Sequence, residues 1–210
     1  MLINKVYEKW SLLNKHGAEI NLTEPLPKVD ISKWNSLVAA LNKVLPDALK
    51  KIYLEETSGF IFEWSGSKEK FGDSCKNGYL HFLSPEEIIT TYAEMVEMEQ
   101  ESKKSQEFSS NVGLQALVAD WPNWIPITKF PNGDLFCIDV TKNLSIVFLE
   151  HDVMDGGPYI HGTVIARDFE KMLELWDQIA FADVYDWSKY CDENGIDIEN
   201  PMFEKIRSLK

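Results

Sequence analysis

Between Trp124 and Trp176 the chain alternates short apolar runs with turn residues, and this pattern restricts the fold more than any other. Leu135 to Val140 and Ser145 to Glu150 are closely spaced runs of strand length and pair as a hairpin. Trp124 to Thr128 is a further strand, in which Pro126 is tolerated only at an edge, a bulge or a strand start, because proline offers no N–H to a ladder. Pro131-Asn132-Gly133-Asp134 supplies the turn between them, since Asn and Gly accept positive φ. Asp155-Gly156-Gly157-Pro158 is a loop and Thr163 to Ala166 a last short strand. Asp168 then caps a closing helix that carries Phe169, Met172, Leu173, Trp176 and Ile179.

The remainder supplies helices and two more strands. Ile3, Val6, Tyr7, Trp10 and Leu13 recur at helical spacing before Gly17, and the segment through Pro25 and Pro27 reads as a loop. Asp30 caps a helix striped with Ile31, Trp34, Val38, Leu41 and Leu45, and Pro46 opens the next, Asp47 to Glu56. Phe60, Phe62 and Trp64 alternate as a strand, Gly66 to Gly78 is a polar turn, and Tyr79 to Leu83 returns. Ser84-Pro85-Glu86-Glu87 is a capping box with Pro at the first helical position, and Leu83 and Ile88 stand where a hydrophobic staple would. That helix is expected to run through Met95 and fray beyond Met98 into a polar connection. Leu114, Leu117 and Val118 mark a short apolar segment before Trp121-Pro122. An Asn194-Gly195 turn and a short helix capped by Asn200 close the chain.

Composition narrows the function classes. A net charge of −13 over 210 residues argues against nucleic acid and against anionic membranes, both of which need clustered Lys and Arg. It suits encounter with a basic protein partner. Cys75, Cys137 and Cys191 are odd in number and far apart, so neither a disulfide framework nor a CxxC metal pair is expected, and Cys137 reads as a small buried hydrophobe. Met1 to Trp10 carries Lys5, Glu8 and Lys9 in place of an apolar signal core, and no apolar run spans a bilayer, so a cytoplasmic protein is expected.

Catalytic constellations are hard to find. His151-Asp152, with Glu150, Asp155 and His161, is a cluster of metal-ligand residue types, yet a single His-Asp dipeptide after a strand is more simply a solvated turn. No Gly-x-Ser-x-Gly elbow, phosphate-cradling loop or Cys–His pairing stands out. No cofactor is expected.

The segments Trp124-Ile125-Pro126-Ile127, Asn132 through Asp139, Val147 through Asp152 and Ile165 through Leu173 together resemble the SUKH superfamily, of fungal cell-wall-synthesis regulators and bacterial immunity proteins. Leu45-Pro46 and Leu83 through Ile88 fall where that family opens helices, and the resemblance runs from about Pro46 to Trp176. It implies a single-domain α+β fold, a mostly antiparallel sheet with helices packed against it, here with residues 1–30 as an N-terminal helical extension and 183–210 as C-terminal tail helices. It also implies a non-enzymatic role, binding and neutralising a cognate toxin, for instance a nuclease, with a regulatory or scaffold role as the alternative. A metal-dependent hydrolase using His151, Asp152 and His161 is a third reading, which rests on those residue types and not on the resemblance. The expected contact surface is the acidic edge around Asp134, Glu150, Asp152 and Asp155, because loops at a sheet's end commonly carry binding. Trp187 and Tyr159 are candidate aromatic anchors.

Overall fold

The computed structural model describes residues 2–72, 75–106, 110–151, 160–192 and 194–209, with backbone alone at 112–114. In chain order the elements are α1 (Leu2–Lys15), β1 (Glu19–Leu22), α2 (Ile31–Leu41), α3 (Asp47–Glu55), β2 (Phe60–Ser65), α4 (Lys68–Phe71), β3 (Asn77–Phe82) and α5 (Pro85–Ser102). They continue with α6 (Val112–Val118), β4 (Trp124–Lys129), β5 (Leu135–Asp139), β6 (Ser145–Leu149), β7 (Val164–Ala166), α7 (Phe169–Gln178) and α8 (Val184–Trp187). A small hairpin, β8 (Cys191–Asp192) with β9 (Gly195–Ile196), and α9 (Glu204–Arg207) end the chain. Strands β1 to β7 pair in sequence order as one antiparallel seven-stranded sheet.

Local chemistry fixes many of the helix starts. Asp30, Asp168 and Asn200 accept the expected backbone N–H bonds, from Lys33, Lys171 and Met202. The Ser84 hydroxyl accepts from Glu87 N–H while the Glu87 carboxylate accepts from Ser84 N–H, which completes the capping box. Pro46 stands at the N-cap of α3, one position before the first turn. Pro126 lies in a central strand, and the ladder accommodates it with a bulge between Pro126 and Thr128.

The sheet buries its two faces unequally. Phe60, Phe62, Trp64, Leu80, Phe82, Ile125, Ile127, Phe136, Ile138, Ile146 and Phe148 point into the larger core, which also takes in buried residues of α1, α2, α3, α7 and α8. At its centre Phe136 stacks at 4.9 Å from Trp176, 5.0 Å from Phe130 and 5.4 Å from Trp187. On the other face Trp124, Leu135, Cys137, Val147 and Leu149 form a smaller core with Met95, Val118 and Trp121. Among the described residues that second core covers β4 to β6 and does not extend over β1 to β3.

Several elements depart from what their sequence suggests. Glu19–Leu22 is an edge strand, where a loop is expected, and its Ile20 and Leu22 pack on the larger core while Glu19 and Asn21 are exposed. The polar turn after β2 contains α4, whose Phe71 is buried against Trp64. Helix α5 continues to Ser102 where fraying beyond Met98 is expected, because Met95 is held in the smaller core and Glu99 is buried and paired with Lys103. Ile31, expected in the buried stripe of α2, is exposed, and Trp34, Leu37 and Leu41 form the packed face. Trp187 is no surface anchor: it is fully buried among Phe130, Phe136 and Phe148.

Candidate functional site

The sequence-predicted acidic edge falls at the end of the sheet where β4, β5 and β6 meet. In the Pro131–Asp134 turn Gly133 takes φ +99°, and a Cβ there would stand 3.2 Å from the His151 ring. Asp134 is only 4% exposed. One of its carboxylate oxygens accepts from the Asn132 amide at 2.6 Å, and the other accepts from His151 N–H at 2.9 Å. His151 Nδ1 lies 2.9 Å from that second oxygen. The carboxylate therefore ties the turn to the end of β6. Glu150 is half-buried beside it, and its backbone N–H donates to His161 Nδ1 at 3.1 Å. Asp152, Asp155 and Tyr159 lie outside the described residues.

His161 links this edge to the smaller core. Nδ1 accepts from Glu150 N–H, and Nε2 lies 2.9 Å from Leu117 O and 3.4 Å from the Trp121 indole nitrogen. Its ring lies 5.3 Å from that of Trp124. Burial disfavours the imidazolium and lowers its pKa, against smaller opposing effects from the Leu117 and Glu150 backbone and from Asp134 and Asp120. A folded pKa below the unfolded value means that the unfolded chain binds the extra proton first, so this contribution to stability is full above about pH 6.5 and falls as pH drops through the folded value. The urea midpoint is expected to fall between about pH 7 and pH 5 by more in the wild type than in His161→Gln. Equal slopes in the two proteins would remove His161 as the cause.

His151 and His161 thus serve different partners, Asp134 and the Leu117–Glu150 backbone. Among the described residues no three His, Cys, Asp or Glu side chains are grouped so that they could hold a metal ion. The cysteines are equally withdrawn. Burial pushes the Cys75 and Cys137 thiols well above their ordinary range, and that of Cys191 up to about 12.

A second surface, not foreseen in the sequence, lies on the half of the sheet that the smaller core does not cover among the described residues. Register places Asn21, Glu63 and Tyr79 in one row across β1, β2 and β3, and Ile61, His81 and Lys129 in another across β2, β3 and β4. Asn21 and Glu63 are exposed, and Ile61, Tyr79 and His81 are half-buried. His81 Nε2 lies 3.1 Å from the Glu87 carboxylate. Burial, and then the charges of Glu63, Asp183 and Glu87, raise the Tyr79 pKa. Burial, with Glu63 and Asp134, likewise raises that of Asp183, although Tyr185 N–H bonds to its carboxylate. Burial leads both shifts and the neighbouring carboxylates add to it, while Lys129, exposed in the second row, brings a positive charge to the same face. The alternation of Ile20 and Leu22 with Glu19 and Asn21 is the period-two signal that would have revealed the first strand of this face.

A seven-stranded antiparallel meander with helices packed against it defines a single-domain α+β protein. The family model for the SMI1 / KNR4 family (SUKH-1) matches residues 28–175, and the chain belongs to that family. The match runs from the loop before α2 into α7 and leaves out α1, β1 and the tail after α7. The SUKH resemblance and the α+β fold with an antiparallel sheet are both borne out. SUKH domains typically bind protein partners and are generally non-enzymatic. No curated protein sequence matches the chain. Among the described residues no helix is long and apolar enough to cross a membrane.

Proposed function

We propose that this protein is a non-enzymatic, intracellular immunity-type binding protein that neutralises a cognate toxin by direct contact. Family membership across residues 28–175 is the observation that carries the reading. The charge balance of −13 supports it, because a basic effector such as a nuclease would be met by complementary potential. A regulatory or scaffold role of the cell-wall-synthesis type calls on the same scaffold with a different partner.

The decisive test is co-expression with any toxin domain found encoded beside this gene. Cells carrying the toxin are expected to grow only when this protein is present, and the two chains are expected to co-elute. Co-elution is expected to weaken steeply as salt rises, since screened charges lose their steering. Failure to rescue from any neighbouring toxin, or a gene neighbourhood without toxins, would turn the reading to the regulatory role.

A further inference from the structure

The C-terminal half of α5 departs from what helix stability favours. Glu97, Glu99 and Glu101 crowd its closing turns, where the negative end of the helix macrodipole disfavours carboxylates, and the nearest cations are Lys103 at the C-cap, which pairs with Glu99, and Lys104 after it. Only Glu99 is buried, with Lys103 as its partner. Beside these glutamates an open groove of about 480 Å³ runs between α2 and α5, with Leu41, Ile89, Tyr92, Ala93 and Val96 along it. Glu97 borders both this groove and an adjoining depression that holds Glu94, Met98 and Glu101. Met98 is 55% exposed, a large apolar side chain left in water. The Tyr92 hydroxyl donates to Pro122 O at 2.8 Å, which holds that ring in place along the groove.

An apolar strip bordered by the carboxylates of Glu94, Glu97 and Glu101 is complementary to one kind of ligand. We propose that the groove between α2 and α5 is a docking site for a basic amphipathic helix of a protein partner, its apolar face on Tyr92, Ala93 and Val96 and its Lys or Arg flank on Glu94, Glu97 and Glu101. The proposal rests on the binding reading above and adds where the partner sits and what it presents. Helix-in-groove recognition places its apolar anchors at helical spacing, and a basic flank would meet the charges of Glu94, Glu97 and Glu101 along the groove. A second copy of this chain is disfavoured as the occupant, because it would bring the same glutamates face to face on molecules of net charge −13.

The probe is a fluorescent Lys/Leu peptide that forms one amphipathic helix, with a scrambled peptide of the same composition as control. The full chain is expected to bind the amphipathic peptide, with amide shifts concentrated on α2 and α5. Glu97→Lys with Glu101→Lys is expected to lower affinity about tenfold and flatten its salt dependence, and Ala93→Arg to do as much by blocking the groove. Glu8→Lys with Glu55→Lys makes the same charge change at exposed sites on α1 and α3, and less than about a twofold change is expected there. Equal losses in the two double variants, shifts centred elsewhere, equal binding of the scrambled peptide, or a dimer that Ala93→Arg dissociates would each overturn the proposal. Groove variants that lose the peptide and also lose toxin rescue support it. Variants that lose the peptide yet still rescue overturn the groove while leaving the immunity reading intact, whereas failure of the wild type to rescue counts against that reading itself.

Discussion

Phe136→Ala is expected to destabilise the protein by about 3–5 kcal/mol, the range for truncating a buried aromatic ring. Phe136 is fully buried, and its ring meets Phe130, Phe148, Trp176 and Trp187 within 4.9 to 6.1 Å. Those partners come from the β4–β5 turn, β6, α7 and α8, so a cavity at this point loosens the attachment of the tail as well as the sheet. Against a total stability of about 5–15 kcal/mol the loss is a large share. The melting temperature is expected to fall by roughly 6–20 °C in a scan, with a matching drop in the urea midpoint. Phe136→Leu keeps most of the volume and is expected to lose less than the alanine variant. Tyr185→Ala, at a side chain 68% exposed, is expected to stay within about 0.5 kcal/mol of wild type. A Phe136→Ala loss no larger than that of Tyr185→Ala would mean that the aromatic cluster is not what joins these elements.

The contrast between Phe136 and the surfaces shows which parts of this molecule can be read from its residues. Caps at Asp30, Ser84, Asp168 and Asn200 are decided within one helical turn, and each forms as its local pattern requires. The β5–β6 hairpin and the bulge at Pro126 follow from period-two alternation and from proline's missing donor. The surfaces depend instead on which face another element covers, and that is a property of the whole fold. Asp134 looks like an exposed loop carboxylate until β6 ends beside it and His151 N–H bonds to it. Trp187 looks like an isolated aromatic in a polar tail until the strands bring Phe136 and Phe148 to it. The continuation of α5 past Met98 depends on the burial of Met95 and Glu99, and with it the groove that flanks α2. Family resemblance reached the scaffold for the same reason: the segments that carry it from Trp124 onward are turns, strands and core.

Asp139→Ala is expected to cost about 2–3 kcal/mol, because a buried carboxylate that serves several donors is removed and the donors remain. Asp139 is wholly inaccessible at the end of β5. One oxygen accepts from Thr141 N–H at 2.8 Å and from the Thr141 hydroxyl at 2.6 Å, and the other accepts from the Trp124 indole N–H at 3.1 Å. The Lys142 ammonium stands 3.6 Å away. Trp124 is only 2% exposed, so its N–H cannot turn to solvent when the acceptor is lost, whereas Thr141 is exposed and can. The indole is therefore the expected source of most of the loss, and Asp139→Asn, which keeps an acceptor oxygen, is expected to lose less. Acid separates the carboxylate's charge from its shape. Burial alone would raise the Asp139 pKa, but the bonds from Thr141 and Trp124 and the charge of Lys142 outweigh it and hold the folded value below the ordinary one. A depressed folded pKa gives stability that is present above the unfolded value near 3.9 and is lost as pH falls through the folded value. The gap between wild type and Asp139→Asn is thus expected to be constant from about pH 7 to pH 5 and to narrow below about pH 4. Denaturation midpoints across that range measure it, and a gap unchanged at the acid end would show that the shape of the acceptor, and not its charge, holds Trp124 and Thr141 together.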